Sequence, residues 1–335
     1  MTDADDARLA ALRRWLAALA RYTEFELEPA SSDASFRRYF RLRHAGGTAI
    51  VMDAPPARED CGPFLHVAAL MHAAGLHVPE ILAQDRSQGF LLLSDLGTQT
   101  YLQAMNDANA DALFADAIAA LIRWQQATRA GELPPYDEAL LRRELALFPE
   151  WYLGRHLGMD LSPAQREALT AAESLLVRRA LAQPRVYVHR DFMPRNLMIS
   201  TPNPGVLDFQ DAVHGPISYD VVSLFKDAFL SWPAQRVRDW ARGYWQAART
   251  ARLPVSDDFG SFWADFEWMG VQRHLKVLGI FARINYRDGK PGYLKDTPRF
   301  FGYVREVAAR HADLKPLARL FDDIEAHALR QGMAI

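Results

Sequence analysis

Leu9, Leu12, Trp15, Leu16 and Leu19 recur at intervals of three and four, a spacing that gathers apolar side chains onto one face of a helix. The pattern then shortens. Phe36 to Leu42 and Thr48 to Met52 read as two strands around the turn-forming His44-Ala45-Gly46-Gly47, with a small polar loop, Ser31 to Ser35, before them. A second helix is expected from Pro63, with Phe64, Val67, Ala68 and Met71 on one face and Gly75 just past its end; Glu59 and Asp60 read as charges at its start. Gly89-Phe90-Leu91-Leu92-Leu93 has the apolar continuity of a buried strand and runs into Ser94-Asp95-Leu96-Gly97. Beyond it helical periods dominate. Phe114, Ile118, Leu121 and Ile122 form one stripe, and the segments after Asp160 and after Asp258 repeat the pattern. There is no internal repeat and no low-complexity tract, and the one linker-like stretch is the short Gly131 to Pro135. The pattern predicts an α+β chain, β-rich at the front and mostly α-helical after it.

The helical half is interrupted once. Arg185-Val186-Tyr187-Val188 looks like a strand ending at His189, and Leu197-Met198-Ile199 and Val206-Leu207 look like two more, joined by the turn-rich Thr201-Pro202-Asn203-Pro204-Gly205. These strands frame His189-Arg190-Asp191-Phe192-Met193-Pro194-Arg195-Asn196 and then Asp208-Phe209-Gln210-Asp211. An H-x-D-x-x-x-x-N loop followed by a carboxylate on a neighbouring strand has the parts that phosphoryl transfer needs. Asp191 would receive a hydroxyl proton, and Asn196 and Asp208 would hold Mg²⁺ as hard oxygen ligands shared with nucleotide phosphates. The hairpin is expected to return Asp208 beside Asn196. His189 is expected to brace the loop through backbone hydrogen bonds.

Composition narrows the rest. At 335 residues, 50% hydrophobic and 24% charged, the chain has the make-up of a globular protein with room for two substantial cores. A formal net charge of -2 supplies no polybasic field for nucleic acid or anionic lipid, so a small-molecule partner is expected, with no nucleic acid and no membrane. The lone Cys61 excludes an internal disulfide and a cysteine-based zinc cluster. The acidic start Met1-Thr2-Asp3-Ala4-Asp5-Asp6 lacks the order of a signal peptide, and no uncharged run approaches the ~20 residues of a membrane span, which together predict a cytoplasmic address.

With these motifs in hand, the chain resembles the aminoglycoside phosphotransferase and choline kinase-like family. The likeness covers Ser32-Asp33-Ala34-Ser35-Phe36-Arg37-Arg38-Tyr39-Phe40-Arg41, Met52-Asp53-Ala54-Pro55-Pro56 and the catalytic loop. It continues through Leu207 to Ala212, Tyr219-Asp220-Val221-Val222-Ser223-Leu224, and Gln272 to Gly279. The resemblance implies a bilobal protein-kinase-like fold, with an N-lobe over residues 1–97 and a C-lobe over 98–335, binding ATP with Mg²⁺. The longer strings are similar to a branch that phosphorylates the anomeric hydroxyl of N-acetylmuramate or N-acetylglucosamine, which implies a sugar as substrate. Two alternatives remain open at this point: a related kinase for an aminoglycoside, choline, an amino alcohol or another sugar, and a pseudokinase that binds nucleotide without chemistry.

Further roles follow from the resemblance. The loop before the first strand would cover the phosphates, with Ser32 and Ser35 supplying hydroxyls where the family has glycines. Backbone groups near Asp95 and Leu96 would read the adenine edge at the hinge. Asp220 would anchor the catalytic loop. Asp211 would touch substrate or a second metal, or else finish a turn. The family's phosphate-binding lysine is missing from Thr48-Ala49-Ile50-Val51-Met52-Asp53, since the first lysine of the chain is Lys226. Arg38 and Arg41 are the expected replacements, and being three apart in a strand they point to opposite faces, so at most one reaches the nucleotide. Arg273 and His274 are the expected substrate contacts, while Trp232, Trp263, Trp268 and Tyr286 read mostly as core.

Overall fold

A computed structural model describes residues 3–19, 22, 24–31 and 36–333. The chain folds as two compact units: the described residues up to Gln99 together with Met198–Asp211, and Thr100–Leu197 together with Ala212 onward. The first boundary thus falls two residues beyond the expected 97/98, and the segment that bears Asp208 joins the first unit instead of the second.

The first unit is built on five antiparallel strands, β1 (Glu26–Ser31), β2 (Arg38–His44), β3 (Gly47–Asp53), β4 (Ile81–Asp85) and β5 (Phe90–Ser94), in the order β1-β2-β3-β5-β4. β1 and β4 were not legible as strands. Both are edges, where one row of backbone groups faces away from the sheet, and β1 carries Glu26, Glu28 and Pro29, residues that suit an edge and disguise a strand. Helix α1 (Asp3–Ala18) covers one face: Leu12 and Leu16 are buried against Leu42, Ala49, Val51, Phe90 and Leu92. Alternate residues of a strand share a face, which is why 49 and 51, or 90 and 92, meet the same helix. Each such leucine contributes about 1.5–3 kcal/mol on burial. The same face holds a fully buried carboxylate, Asp53, which Arg8 of α1 and Arg38 of β2 clamp from two sides. Helix α2 (Gly62–Ala73) completes the unit, with Pro63 in its first turn and Phe64, Val67, Ala68 and Met71 buried as expected.

The second unit is mostly helical: α3 (Tyr101–Ala104), α4 (Ala110–Gln126), α5 (Glu138–Leu145), α6 (Pro163–Ala182), α7 (Tyr219–Phe225), α8 (Ala234–Thr250), α9 (Phe259–Asp288), α10 (Thr297–Arg310) and α11 (Lys315–Arg330). Two short strands, β6 (Arg185–Val188) and β9 (Val213–Pro216), pair within it, and β7 (Leu197–Met198) and β8 (Gly205–Val206) form the hairpin that carries the chain from Asn196 to Asp208. α9 is the central helix, buried without interruption from Phe266 to Gly279, as a helix must be when other elements pack all round it. It runs tightly against the start of the π-helical segment Phe148–His156: a Cβ at Gly279 would stand 2.3 Å from the carbonyl carbon of Leu147. Only glycine lets the two backbones come that near. No helix among the described residues is long and apolar enough to cross a membrane.

Candidate active site

The catalytic loop begins where β6 ends. Val186, Tyr187 and Val188 are buried, so the strand is fixed in the core and delivers His189 and Arg190 at its tip. The carboxylate of Asp220, near the start of α7, then takes the next two amides: His189 N–H donates to Oδ2 at 2.6 Å and Arg190 N–H to Oδ1 at 3.0 Å. Burial pushes the Asp220 carboxyl up to about 7, against the two amide donors, which favour its ionised form. Arg190 has φ 76, a left-handed conformation that costs a non-glycine residue on the order of 1 kcal/mol and persists where surroundings impose it.

Asp191 enters this loop through its main chain. Its N–H donates to His189 Nδ1 at 3.2 Å, and its carbonyl accepts from Met193 N–H at 2.9 Å and from Asn196 Nδ2 at 3.0 Å. The loop is therefore shaped by backbone bonds, and the Asp191 side chain, half-buried, is not what holds it. Asn196 is 9% exposed and turns its amide nitrogen inward, which leaves Oδ1 as the atom of that group suited to a cation.

Behind the loop lies a buried ionic cluster that the sequence did not disclose. Glu144 of α5 accepts from Arg190 Nη2 at 2.6 Å and from Lys276 Nζ of α9 at 2.8 Å on Oε1, and from Gln272 Nε2 at 3.2 Å and the Tyr136 hydroxyl on Oε2. Burial alone would raise the Glu144 carboxyl, but Lys276 and Arg190 outweigh it and bring it down to about 2. Lys276 also donates to the Tyr219 hydroxyl at 2.9 Å. The cluster ties the side chain of Arg190 to α5 and α9 while Asp220 ties its backbone to α7, so the residue before Asp191 is pinned at both ends. Glu144→Gln would leave two buried cations short of their counter-charge and should cost about 3 kcal/mol or more in urea unfolding at neutral pH. Because folding lowers this carboxyl from 4.5 to about 2, its contribution is complete above pH 4.5 and is lost as pH falls toward 2. The wild-type advantage over Glu144→Gln should close across that window.

Asp208 belongs to the first unit, on the far side of the β7–β8 hairpin. It too is left-handed, with φ 60, and its Oδ1 accepts from Gln210 Nε2 at 2.9 Å. Among the described residues only one other non-glycine, Arg252, shares that backbone region with Arg190 and Asp208. Phe209, fully buried, packs on Phe64 of α2 with ring centroids 4.8 Å apart and so fixes the segment on the first unit. Asp211 is an exposed turn residue. Each unit thus carries its own part of the expected ligand set, Asn196 in one and Asp208 in the other. An amide oxygen and a carboxylate are both hard donors, the kind that Mg²⁺ takes in preference to softer ligands.

The remaining expectations fare unevenly. Ser32 and Ser35 lie outside the described residues. Arg38 is turned to the α1 side of the sheet, where its Nε donates to Asp53 at 3.0 Å. Arg41 donates to Asp95 from Nε at 2.7 Å and Nη2 at 3.1 Å, and to the Gly97 carbonyl at 2.8 Å. Both guanidinium groups, of which at most one was expected to reach the nucleotide, are thus matched by carboxylates within their own unit. The Arg41 clamp does give the Asp95-Leu96-Gly97 segment a fixed shape, with Leu96 buried and Gly97 at φ 111. Glu59, read as a helix-start charge, instead pairs with Arg37. Arg273 and His274 are both on α9 and almost fully buried. The His274 ring is enclosed by Phe300 and Tyr303, and burial keeps it well below the ordinary histidine value. Arg273 sends Nη2 toward Met193 Sδ of the catalytic loop at 3.8 Å, while its Nε and Nη1 have no hydrogen-bond partner among the described residues. Of the four rings read mostly as core, Trp268 is buried, Trp232 and Trp263 are half-buried and pack against other rings, and Tyr286 is exposed.

Solved structures agree with this architecture. An ADP-bound aminoglycoside phosphotransferase superposes with a TM-score of 0.61 over 93% of this chain and 99% of its own at 14% identity. A choline kinase from Streptococcus pneumoniae does so with 0.64 over 90% and 98%, also at 14%. At such identity the likeness is one of fold, and the fold is that of the protein-kinase-like small-molecule phosphotransferases. Residues 26–257 match the phosphotransferase enzyme family, more than half of the chain, so the chain belongs to that family and is a phosphotransferase. Among its curated relatives, proteins named N-acetylmuramate/N-acetylglucosamine kinase are 58% identical in Pseudomonas putida, over 90% of this chain and 89% of the relative. In Pseudomonas aeruginosa the relative of that name is 56% identical over 94% and 96%.

Proposed function

We propose that this enzyme transfers the γ-phosphoryl group of ATP to the anomeric hydroxyl of N-acetylmuramate and N-acetylglucosamine, releasing the sugar 1-phosphate and ADP in the cytoplasm, as a step in reusing cell-wall sugars. One observation carries the reading: 56% identity across 94% of the chain and 96% of a relative bearing that name. The loop chemistry is in keeping with it. Asp191 receives the proton of the C1 hydroxyl, the freed oxygen attacks the γ-phosphorus, and the bond to the β–γ bridging oxygen breaks with ADP as leaving group. Asp220 and Glu144 contribute indirectly, by holding Arg190 and hence the main chain that leads into Asp191.

Asn196 Oδ1 and the Asp208 carboxylate would hold Mg²⁺. When bound, that ion neutralises phosphate charge that builds up on the leaving group. Arg273, with donors left over and its tip at Met193, would face the carboxylate of the lactyl ether that distinguishes N-acetylmuramate from N-acetylglucosamine. The experiment is ADP release with MgATP and a panel of N-acetylmuramate, N-acetylglucosamine, glucose, choline and kanamycin. Release with the two N-acetylated sugars and not with the others is expected. Turnover confined to choline or kanamycin contradicts the sugar assignment, and no turnover with any acceptor contradicts catalysis.

A further inference from the structure

β3 holds no lysine, and strand register decides where a substitute can stand. Tyr39 is paired with Met52, Arg41 with Ile50 and Arg38 with Asp53. Paired residues share a face and alternate residues share a face, so Tyr39, Arg41, Ile50 and Met52 lie on one side of the sheet. Arg38, Leu42, Val51 and Asp53 lie on the other, the side covered by α1. Arg38 is therefore on the wrong face, and Arg41, on the right one, is committed to Asp95 and Gly97.

Arg37 stands immediately before β2 and continues the face of Tyr39 and Met52. Its Nε donates to Glu59 Oε2 at 3.3 Å, with the two side chains 12% and 17% exposed. Glu59 lies just ahead of α2, and α2 is the helix whose Phe64 packs on Phe209, next to Asp208. The arginine is thus placed between two carboxylates of the same unit, Glu59 at the head of α2 and Asp208. Burial works against its charge, but Tyr39, Glu59 and Asp208 outweigh it and raise the group above the ordinary arginine value.

We propose that Arg37, oriented by Glu59, is the cation that grips the nucleotide's phosphates in place of the missing lysine. This rests on the ATP-dependent reading above and adds to it the residue that binds the anion. A guanidinium has five donors in a rigid fork, so Arg37 can keep Glu59 on one edge and exchange its hydrogen bond with Tyr39 for paired bonds to phosphate oxygens, a geometry closed to lysine. Glu59 fixes the direction of the fork. Phosphates drawn toward Asp208 enter a region that already holds the Glu59 and Asp208 carboxylates, and Arg37 supplies a positive charge beside both.

The test separates phosphate from base. Calorimetric titration of wild-type protein with ATP, ADP and adenosine is compared with Arg37→Met, Arg37→Lys and Glu59→Gln. Arg37→Met should weaken ATP and ADP by about ten- to a hundredfold and adenosine by less than about twofold. Arg37→Lys should recover part of the loss, and Glu59→Gln should shift ATP in the same direction as Arg37→Met but less. Unchanged ATP affinity in Arg37→Met, or equal losses for ATP and adenosine, overturns the proposal while leaving the kinase reading in place. A wild type that binds neither ATP nor ADP overturns that reading as well. A second measurement needs no variant: ADP, but not adenosine, should slow phenylglyoxal modification of Arg37 in the wild-type protein, followed by peptide mass spectrometry. Equal rates with and without ADP contradict the assignment.

Discussion

Asp191→Asn should lower kcat by about 10²–10⁴-fold while leaving the KM for sugar within a few-fold of wild type. The expectation follows from how the loop is held. Asp191 is bonded to His189, Met193 and Asn196 through its own N–H and carbonyl, which asparagine keeps, so the loop should persist when the carboxylate is removed. What disappears is the proton acceptor. Circular dichroism and the thermal midpoint should stay close to wild type, and ATP affinity should change little. A variant that retains wild-type kcat would remove Asp191 from the chemistry, and one that loses kcat only by unfolding would make it structural.

Asp208→Asn should act at a different point. Asparagine tolerates the left-handed backbone found at φ 60, so the substitution changes charge with little change in conformation. It should lower kcat by at least about a hundredfold, some 2.7 kcal/mol of barrier. The more telling readout is nucleotide affinity measured with and without Mg²⁺. In wild type the metal should tighten ATP binding, and in the variant that gain should largely vanish. The same metal dependence in both proteins would mean that Asp208 does not ligate. Asn196→Ala should reproduce the effect more weakly, because it removes a neutral oxygen.

The parts of the site that could be read from the chain are those written in consecutive residues. The strand Arg185–Val188 and the eight residues after it carry their own pattern, and Pro63 and Gly75 punctuate α2. The edge strands β1 and β4 were lost because a strand with only one paired side needs fewer apolar residues to hold it. Glu144 was lost for another reason. In Arg142-Arg143-Glu144-Leu145 it looks like a solvated helix charge, and its partners Arg190 and Lys276 lie 46 and 132 positions away, beyond any local period. Arg38 and Arg41 could be assigned to opposite faces by parity, but which face is which depends on register with β3, and only the pairing of Arg38 with Asp53 settles it. The Arg37–Glu59 pair spans 22 residues and gave no signal except that the strand lacked a lysine.

The central claim is that phosphate moves from ATP to the C1 oxygen of an N-acetylated amino sugar. Phosphorus-31 NMR of the product, with proton correlation, tests it most directly. Incubation of the wild-type enzyme with MgATP and N-acetylmuramate or N-acetylglucosamine should give one new phosphomonoester whose phosphorus couples to the anomeric proton, in amounts equal to the ADP formed. A phosphorus coupled to the C6 protons, or ADP without any sugar phosphate, would contradict it.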